Sequence, residues 1–406
     1  MNSKCTVTLK KGREKPILRG HPWIFSGAVQ SIHGYTQAGD LCSVLDHSGR
    51  FLATGYVNTS SQITVRVLAS GAAAQRTTID GDFIRASLER ALRLRESLLG
   101  STFAAGSKSA FRLVNAEGDF LPGLIVDRYA EGVVLQALTA GMQRLKGLLV
   151  DCLHTILSPL FIYEKLDTHM AEAEGLDAAA TAGTGTCLYG TLPSPIEIEE
   201  TGARFHVDVE GGQKTGFYLD QRRNRRILRE FAVGMTLLNC FSYTGAFAVQ
   251  ALLGGGLEAH NVDLSEKALE QASHNAVLNH IDPERFRNSK ANVFELLRRD
   301  ESRYDIVVLD PPKFAASKGE LPRALRGYKD INLSALERVR AGGFLMTFSC
   351  SGLVSEDLFQ KVVFGAAVDA GRSIQILRRL HADADHPVNL AHREGQYLKG
   401  LLLRVV

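Results

Sequence analysis

Apolar and polar positions change rhythm twice along this chain. Over residues 1–72, short apolar runs at 6–9, 41–45, 51–56 and 63–68 are separated by turns, with glycines near 39–40 and 48–49. Short strands at that spacing predict a small β-barrel. Residues 69–75 are small and polar and read as a linker. A helix follows over 81–98, where Phe83, Leu88, Ala91, Leu92 and Leu98 recur at helical spacing.

Residues 78–200 mix both periods. Strands are expected at 111–114, 123–129 and 133–136, a helix at 143–157, and further strands at 160–164 and 195–200. The stretch 171–190 is rich in Ala, Gly and Thr and reads as a loose surface loop. Over 204–406 the rhythm becomes regular strand–helix alternation. Strands fall near 235–240, 258–263, 286–290, 304–309 and 343–349, and two more at 373–379 and 397–404. Helices fall around 220–231, 245–253, 265–280, 292–299, 321–340 and 354–370. That alternation predicts an α/β, doubly wound open sheet, which binds ligands beyond the carboxyl ends of its strands.

The bulk properties narrow the class. A chain of 406 residues exceeds one ordinary domain, and the three stretches above are the expected parts. No run approaches the roughly 18 apolar residues of a membrane span, so no membrane partner is expected. The N-terminal residues carry no signal-peptide core, and a cytoplasmic location is expected. Six cysteines, at 5, 42, 152, 187, 240 and 350, show no CxxC spacing, which argues against a metal and against disulfides. Net charge is +3, unevenly spread: residues 1–80 hold nine Lys/Arg against four acids, and the remainder sums to −2. A basic N-terminal unit suggests an anionic partner, or no more than a solvated surface.

Candidate chemistry clusters at predicted strand ends. Residues 237–247 form a strand, a turn and a helix start, and Asn239, Phe241, Ser242, Thr244 and Gly245 could hold a small polar ligand there. Neither GxGxxG nor GxxxxGK[ST] occurs. Asp263 ends the next strand, where an acid can accept the ribose hydroxyls of an adenosine. Asn292 follows the third strand and could face an adenine edge or simply cap the next helix.

Asp310-Pro311-Pro312-Lys313 is more specific, because two prolines stiffen the chain as it leaves the strand and hold the Asp310 carboxylate at the sheet rim. Cys350, between Ser349 and Ser351, occupies the equivalent place on the following strand. A flat base could lie between that carboxylate and that thiol. Cys240 reads as structural. A glycine-rich stretch at 211–216 leads into a polar helix start with Asp220 as its candidate N-cap. The stretch could be a lid whose Gln213, Lys214, Phe217, Asp220 and Gln221 face a ligand, with Arg222 and Arg225 available to phosphates.

The run 310–314, the segment Arg326-Gly327-Tyr328-Lys329-Asp330-Ile331-Asn332, the segment 348–352 and the stretch 212–222 together resemble the RlmI-like family of bacterial large-subunit ribosomal RNA (cytosine-5) methyltransferases. The segment Gly20-His21-Pro22-Trp23-Ile24-Phe25 is similar to the entry of that family's PUA domain. The resemblance implies an N-terminal PUA-type barrel, a central α+β domain and a C-terminal Rossmann-like domain. It implies S-adenosylmethionine as cofactor, RNA as partner with Arg19, His21 and Trp23 among its contacts, and leaves a homodimer open. Cytosine carbon 5 is a weak nucleophile, and a thiolate adding to carbon 6 activates it. That role falls to Cys350, whose thiol must lose its proton and is expected to have a lowered pKa. Asp310, counted also among the cofactor-facing residues, would hydrogen-bond the ring. No second cysteine follows Pro311, so Lys313 or water is left to remove the carbon-5 proton. A same-fold enzyme methylating a guanine amine, a non-catalytic RNA-binding assembly factor and a small-molecule methyltransferase stay open as alternatives.

Overall fold

The computed structural model describes residues 5–100, 108–176, 183, 185–315 and 317–406. Contacts divide the chain into two compact units: residues 1–198, 207–217 and 384–395 form the first, and 199–206, 218–383 and 396–406 the second. No helix among the described residues is long and apolar enough to cross a membrane.

The first unit begins with β1 (Cys5–Leu9), α1 (Lys15–Leu18), β2 (Trp23–Phe25), β3 (Val29–His33), β4 (Asp40–Leu45), β5 (Phe51–Val57) and β6 (Ile63–Ser70). They form a six-stranded sheet of order β2-β6-β5-β4-β1-β3. Strands β2 and β3 sit at opposite edges, yet only Ser26–Ala28 joins them. Those residues span roughly 14 Å at most, against about 24 Å between the edges of a flat six-stranded sheet. The sheet must therefore curl. In β1 buried and half-buried positions alternate, and Val7, Leu9, Val44 and Val65 fill the interior.

Helix α2 (Gly81–Leu99) follows, capped by Asp80, which accepts from Phe83 N at 3.1 Å. Strands β7 (Ala110–Asn115), β8 (Leu124–Tyr129) and β9 (Gly132–Ala137), helix α3 (Ala140–Leu157), strand β10 (Phe161–Lys165), helix α4 (Thr168–Ala173) and strand β11 (Gly185–Gly190) complete this part. The sheet order is β11-β10-β9-β8-β7. Here the expectation of a loose loop over 171–190 is corrected: α4 enters it from one side, and β11 pairs antiparallel with β10. Residues 177–182 and 184 of that stretch lie outside the described residues. Strand β11 is largely exposed and carries no alternation, which hid it in the sequence. Residues 384–395, far along the chain, also belong here. Asp385 accepts from Arg112 N at 2.9 Å, and the buried Arg95 donates to Asp385 O at 2.8 Å.

The hairpin β12 (Ile196–Glu200) and β13 (Ala203–Val207) lies where the chain passes to the second unit. That unit alternates α5 (Arg222–Phe231), β14 (Thr236–Cys240), α6 (Ala246–Leu253), β15 (Glu258–Asp263), α7 (Glu266–Leu278), β16 (Phe286–Lys290), α8 (Val293–Arg299), β17 (Tyr304–Leu309), α9 (Leu321–Arg338), β18 (Val339–Ser349), α10 (Glu356–Asp369), β19 (Ile374–His381) and β20 (Lys399–Val405). The sheet order is β16-β15-β14-β17-β18-β20-β19, with β20 antiparallel to both neighbours and every other pair parallel. Residues 306–309 of β17 are all buried, as a strand covered on both faces requires.

Within this core His260 of β15 is buried, with Nδ1 3.0 Å from Tyr304 Oη and Nε2 2.8 Å from Ser289 Oγ. Burial, then the nearby Arg287 charge, pulls its pKa down to about 4, against a smaller upward pull from Asp300. The folded imidazole stays neutral while an unfolded one takes a proton below about pH 6.5. Its contribution is therefore complete above that pH and is lost as pH falls toward 4. Between pH 7 and 4.5 the wild type should lose about 2 kcal/mol more stability than His260→Asn, measured by chemical denaturation. Equal losses would remove the assignment.

Candidate active site

Strands β14 and β17 are neighbours, with β15 and β16 on one side and β18 on the other. Successive crossovers leave this point in opposite directions, which opens a crevice at the strands' carboxyl ends. Five predicted features fall on that rim: the turn after β14, Asp263 ending β15, Asn292 after β16, Asp310 after β17 and Cys350 after β18.

The β14 turn is bent hard. Phe241, Tyr243 and Gly245 all adopt left-handed backbone, with φ of 57°, 46° and 72°. Two of these are not glycine, and such conformers persist where surrounding structure over-determines them, often at functional sites. A Cβ on Gly245 would come within 2.9 Å of Ala272 Cβ, so only glycine fits here. Tyr243 N donates to Asp263 Oδ2 at 2.9 Å, and Ser265 N donates to Oδ1 at 2.9 Å. The backbone thus aims the Asp263 carboxylate. Ser242 Oγ and Thr244 Oγ1 are buried with no hydrogen-bond partner among the described residues.

Two residues expected in this pocket are committed elsewhere. Asn239 is buried and donates to Asn261 Oδ1 at 2.9 Å, and Asn261 donates to Asn288 Oδ1 at 3.0 Å. The three amides form a ladder across β14, β15 and β16 at matched register. Asn239 therefore stiffens the sheet under the turn. Asn292 takes the plainer of its two expected roles: its Oδ1 accepts from Phe294 N at 3.0 Å as the N-cap of α8. Missed in the sequence was Leu264, 65% exposed directly after Asp263, an apolar side chain set beside an acid that could hold a ribose.

Asp310 and Cys350 come together. Cys350 is half-buried, and its Sγ lies 3.8 Å from Pro311 O. Gln221 Nε2 donates to Asp310 Oδ2 at 2.9 Å, while Gln221 Oε1 accepts from Asn224 at 2.6 Å. The flanking serines explain the motif's polarity. Ser349 Oγ lies inward, donating to Tyr328 Oη at 3.0 Å, and Ser351 Oγ donates to Ala315 O at 3.1 Å. Both serines are buried, so the chain is pinned on either side of the thiol. Two tyrosines complete the surroundings. Burial raises the Tyr328 hydroxyl to about 12, with Cys350 and Asp310 adding to the rise. Tyr218 is raised further, by burial first and then by Asp310, Asp220, Tyr243 and Cys350. Both stay neutral hydrogen-bonding groups. Cys240 is fully buried and burial alone pushes its thiol far up, which makes it inert as expected. Lys313 is exposed on the Pro-Pro turn.

The glycine-rich stretch divides. Gln213, Lys214 and Phe217 belong to the first unit, where carbonyls of the loop are tied down. The buried Lys165 donates to Val209 O at 2.5 Å, Gly212 O at 2.6 Å and Glu210 O at 3.1 Å. Thr215 Oγ1 donates to the buried Asp127 at 2.6 Å, and Phe217 N donates to Tyr129 Oη at 3.2 Å. Asp127 is itself gripped by Arg112 at 2.8 and 2.9 Å. In the second unit Asp220 is not the predicted N-cap: Gln221 stands at the cap of α5, and Asp220 Oδ2 accepts from Tyr397 Oη at 2.5 Å.

Most residues expected to touch RNA are engaged within the fold. Arg225 is 2% exposed and donates to both oxygens of Glu200, at 2.6 and 2.5 Å. Arg222 donates to Asp383 at 2.7 Å. The Arg225 expectation is corrected, because that side chain is buried, whereas Arg222 keeps partial exposure. Trp23 is half-buried: its indole N–H donates to Glu117 at 2.8 Å, and its ring lies 4.3 Å from that of His392. His21 packs at 5.8 Å from the same histidine. Arg66, one of the nine basic residues of the N-terminal stretch, is buried against Glu174 at 2.7 Å. Arg19 stays exposed, and Phe25, 47% exposed, is an aromatic surface the sequence reading passed over.

Residues 7–70 match the family model for a PUA-like domain, and residues 183–404 match that for an S-adenosylmethionine-dependent methyltransferase. "Ribosomal RNA large subunit methyltransferase I" of Tolumonas auensis is 46% identical over 407 residues, covering 99% of each chain. The protein of the same name from Shewanella amazonensis is 45% identical over 403 residues, 98% of this chain and 99% of that one. A crystallised methyltransferase complexed with SAH superposes with a TM-score of 0.83 at 22% identity, over 98% of this chain and 100% of that one. An S-adenosylmethionine-dependent methyltransferase from Streptococcus mutans gives 0.82 at 22% identity over the same shares. These two likenesses concern the fold. The rim described above suits such a cofactor. The orphaned hydroxyls of Ser242 and Thr244 need a polar ligand in the β14 turn, and Asp263 keeps acceptor capacity for two hydroxyls.

Proposed function

Because the chain belongs to the ribosomal RNA large subunit methyltransferase I family, we propose that it forms 5-methylcytosine in large-subunit ribosomal RNA through a covalent bond between Cys350 and the target base. At the coarser level it is an S-adenosylmethionine-dependent methyltransferase of large-subunit ribosomal RNA. The observation that carries the finer reading is the pairing of a half-exposed thiol with an oriented carboxylate on adjacent strand ends. Methylation of an exocyclic amine needs no thiol.

When bound, S-adenosylmethionine supplies an electrophilic methyl group on a sulfonium, to be held by Ser242, Thr244 and Asp263. The residues of the chain do the rest. Cys350, as thiolate, adds to carbon 6 and shifts electron density to carbon 5. Asp310, fixed by Gln221, accepts from the exocyclic amine with one oxygen. Carrying a proton in the complex, it donates that proton to ring N3 with the other oxygen, which offsets the negative charge that develops there as the thiolate adds. The proton returns when Cys350 leaves. After methylation a base takes the carbon-5 proton. The C–H electrons restore the ring double bond, and Cys350 leaves as thiolate. Lys313 or a water molecule performs that deprotonation. The base must be unpaired or turned out of its stack to enter. The barrel, with Arg19 and Phe25 exposed, contributes phosphate and stacking contacts.

Fluorine at carbon 5 cannot leave as a proton, so ribosomal RNA carrying 5-fluorocytosine should trap the wild-type protein. The expected result is a cofactor-dependent adduct that survives a denaturing gel. A protein that methylates ordinary ribosomal RNA yet gives no adduct would sink the covalent reading. Methyl groups found on guanine amines would then support the amine-methylating alternative.

A further inference from the structure

Behind Cys350 lies a lysine that none of these steps uses. Lys399 opens β20 and pairs in register with Ser349 of β18 on one side and His381 of β19 on the other. It is 3% exposed. Its Nζ donates to Ser351 O at 2.5 Å and to Val354 O at 2.7 Å. Both carbonyls belong to the turn immediately after the thiol, so the ammonium closes that turn from the interior. An ammonium buried this deeply is costly unless charge compensates it. Among the described residues no carboxylate lies within ion-pair distance of it. The charges acting on it are those of Cys350, largest, and Glu356 of α10.

We propose that Lys399 is the positioning residue for Cys350: it fixes the 351–354 turn and places a positive charge on the interior side of the sulfur, so that the thiolate is the form presented to the base. The idea rests on Cys350 being the nucleophile, but its chemistry is simple: the thiol proton leaves to solvent and no other bond changes. Groups near the thiol on other elements include Asp310, whose carboxylate when charged opposes ionisation, and Tyr218 and Tyr328, both held neutral. Around the lysine, Glu356 lies 3.6 Å from His381 Nδ1 and accepts from Gln396 at 2.6 Å, so its charge is shared with other partners. Burial pulls the ammonium down to about 8, while Cys350 and Glu356 push it back up. The lysine is therefore cationic at neutral pH and loses its influence as pH rises past 8.

The test reads the thiol directly in the full-length protein, whether or not it attacks cytosine, so its failure is distinct from failure of the covalent mechanism. Iodoacetamide labelling of the Cys350 peptide is followed by mass spectrometry from pH 6 to 10, with calorimetric S-adenosylmethionine binding as the folding control. In Lys399→Met the labelling rate at pH 7 should fall roughly tenfold, matching a thiol pKa about one higher. Lys399→Arg should stay near wild type, and the advantage of wild type over Lys399→Met should shrink above pH 8. A Cys350 labelling profile unchanged in a folded Lys399→Met overturns the proposal. Should that variant not fold, the reciprocal measurement decides. Cys350→Ala should lower the Lys399 pKa seen by NMR of 13C-labelled lysine, and an unmoved Lys399 resonance overturns the proposal equally.

Discussion

Replacing Cys350 with alanine should leave S-adenosylmethionine binding intact and lower methyl transfer to ribosomal RNA by roughly 10³-fold or more. The thiol sits at the end of β18, half-buried, while the turn around it is pinned by Ser349, Ser351 and Lys399. Removing one sulfur atom there opens no core cavity. The groups suited to the cofactor lie at the ends of β14 and β15, on other strands. The loss should therefore appear as a fall in kcat with little change in cofactor Kd. Cys240→Ala provides the contrast, since its buried, inert thiol takes no part and turnover should be retained. The measurement is incorporation of labelled methyl into ribosomal RNA from cells lacking the enzyme. A Cys350→Ala protein within tenfold of wild type would remove the thiol from the mechanism and favour amine methylation.

The second large effect concerns stability. Arg225→Ala should cost about 3–5 kcal/mol of unfolding free energy, because it strands the buried Glu200 carboxylate. RNA affinity, measured on folded protein, should not change. Restoring the balance with Arg225→Met together with Glu200→Leu should recover most of the stability, since apolar replacement of both partners removes the uncompensated charge. A contrary result would be equally clear. If Arg225→Ala unfolds like wild type while the slope of log affinity against log salt drops by about one, the arginine contacts a phosphate after all.

Arg225 shows where sequence reading stops. A cluster of arginines at a helix start is the same string whether the helix turns it outward or inward. Only the packing of α5, with Glu200 waiting at the end of β12, decided that Arg225 serves the fold. Asn239 and Trp23 make the same point: a polar or aromatic side chain near a predicted site was already taken, by an amide ladder in one case and by Glu117 and His392 in the other. His392 could not have been anticipated, because residues 384–395 leave the methyltransferase stretch of sequence and join the first unit. Of the strands that escaped notice, β2, β3 and β11 are short or largely exposed and carry little hydrophobic period, whereas β13 alternates cleanly over Ala203, Phe205 and Val207 and was overlooked only for its five-residue length.

The C-terminal alternation was legible because parallel strands covered on both faces must be continuous apolar runs, and their helices start at caps such as Ser265 and Ser355. The rim residues were legible too: a turn with Gly245, an acid closing a strand, a Pro-Pro brake after Asp310 and a polar-flanked cysteine each leave a local mark. By itself, then, the sequence determined the order of elements from α5 onward, the doubly wound sheet and the placing of Asp263, Asp310 and Cys350 at strand ends, since all of these follow from local periodicity and backbone stiffness. The tertiary structure alone decided which side chains are free to act. It tied Asp310 to Gln221, buried Arg225, locked the 209–217 loop onto Lys165 and set Lys399 behind the thiol. Those are contacts between residues far apart in the chain, and burial and pairing are properties of such contacts.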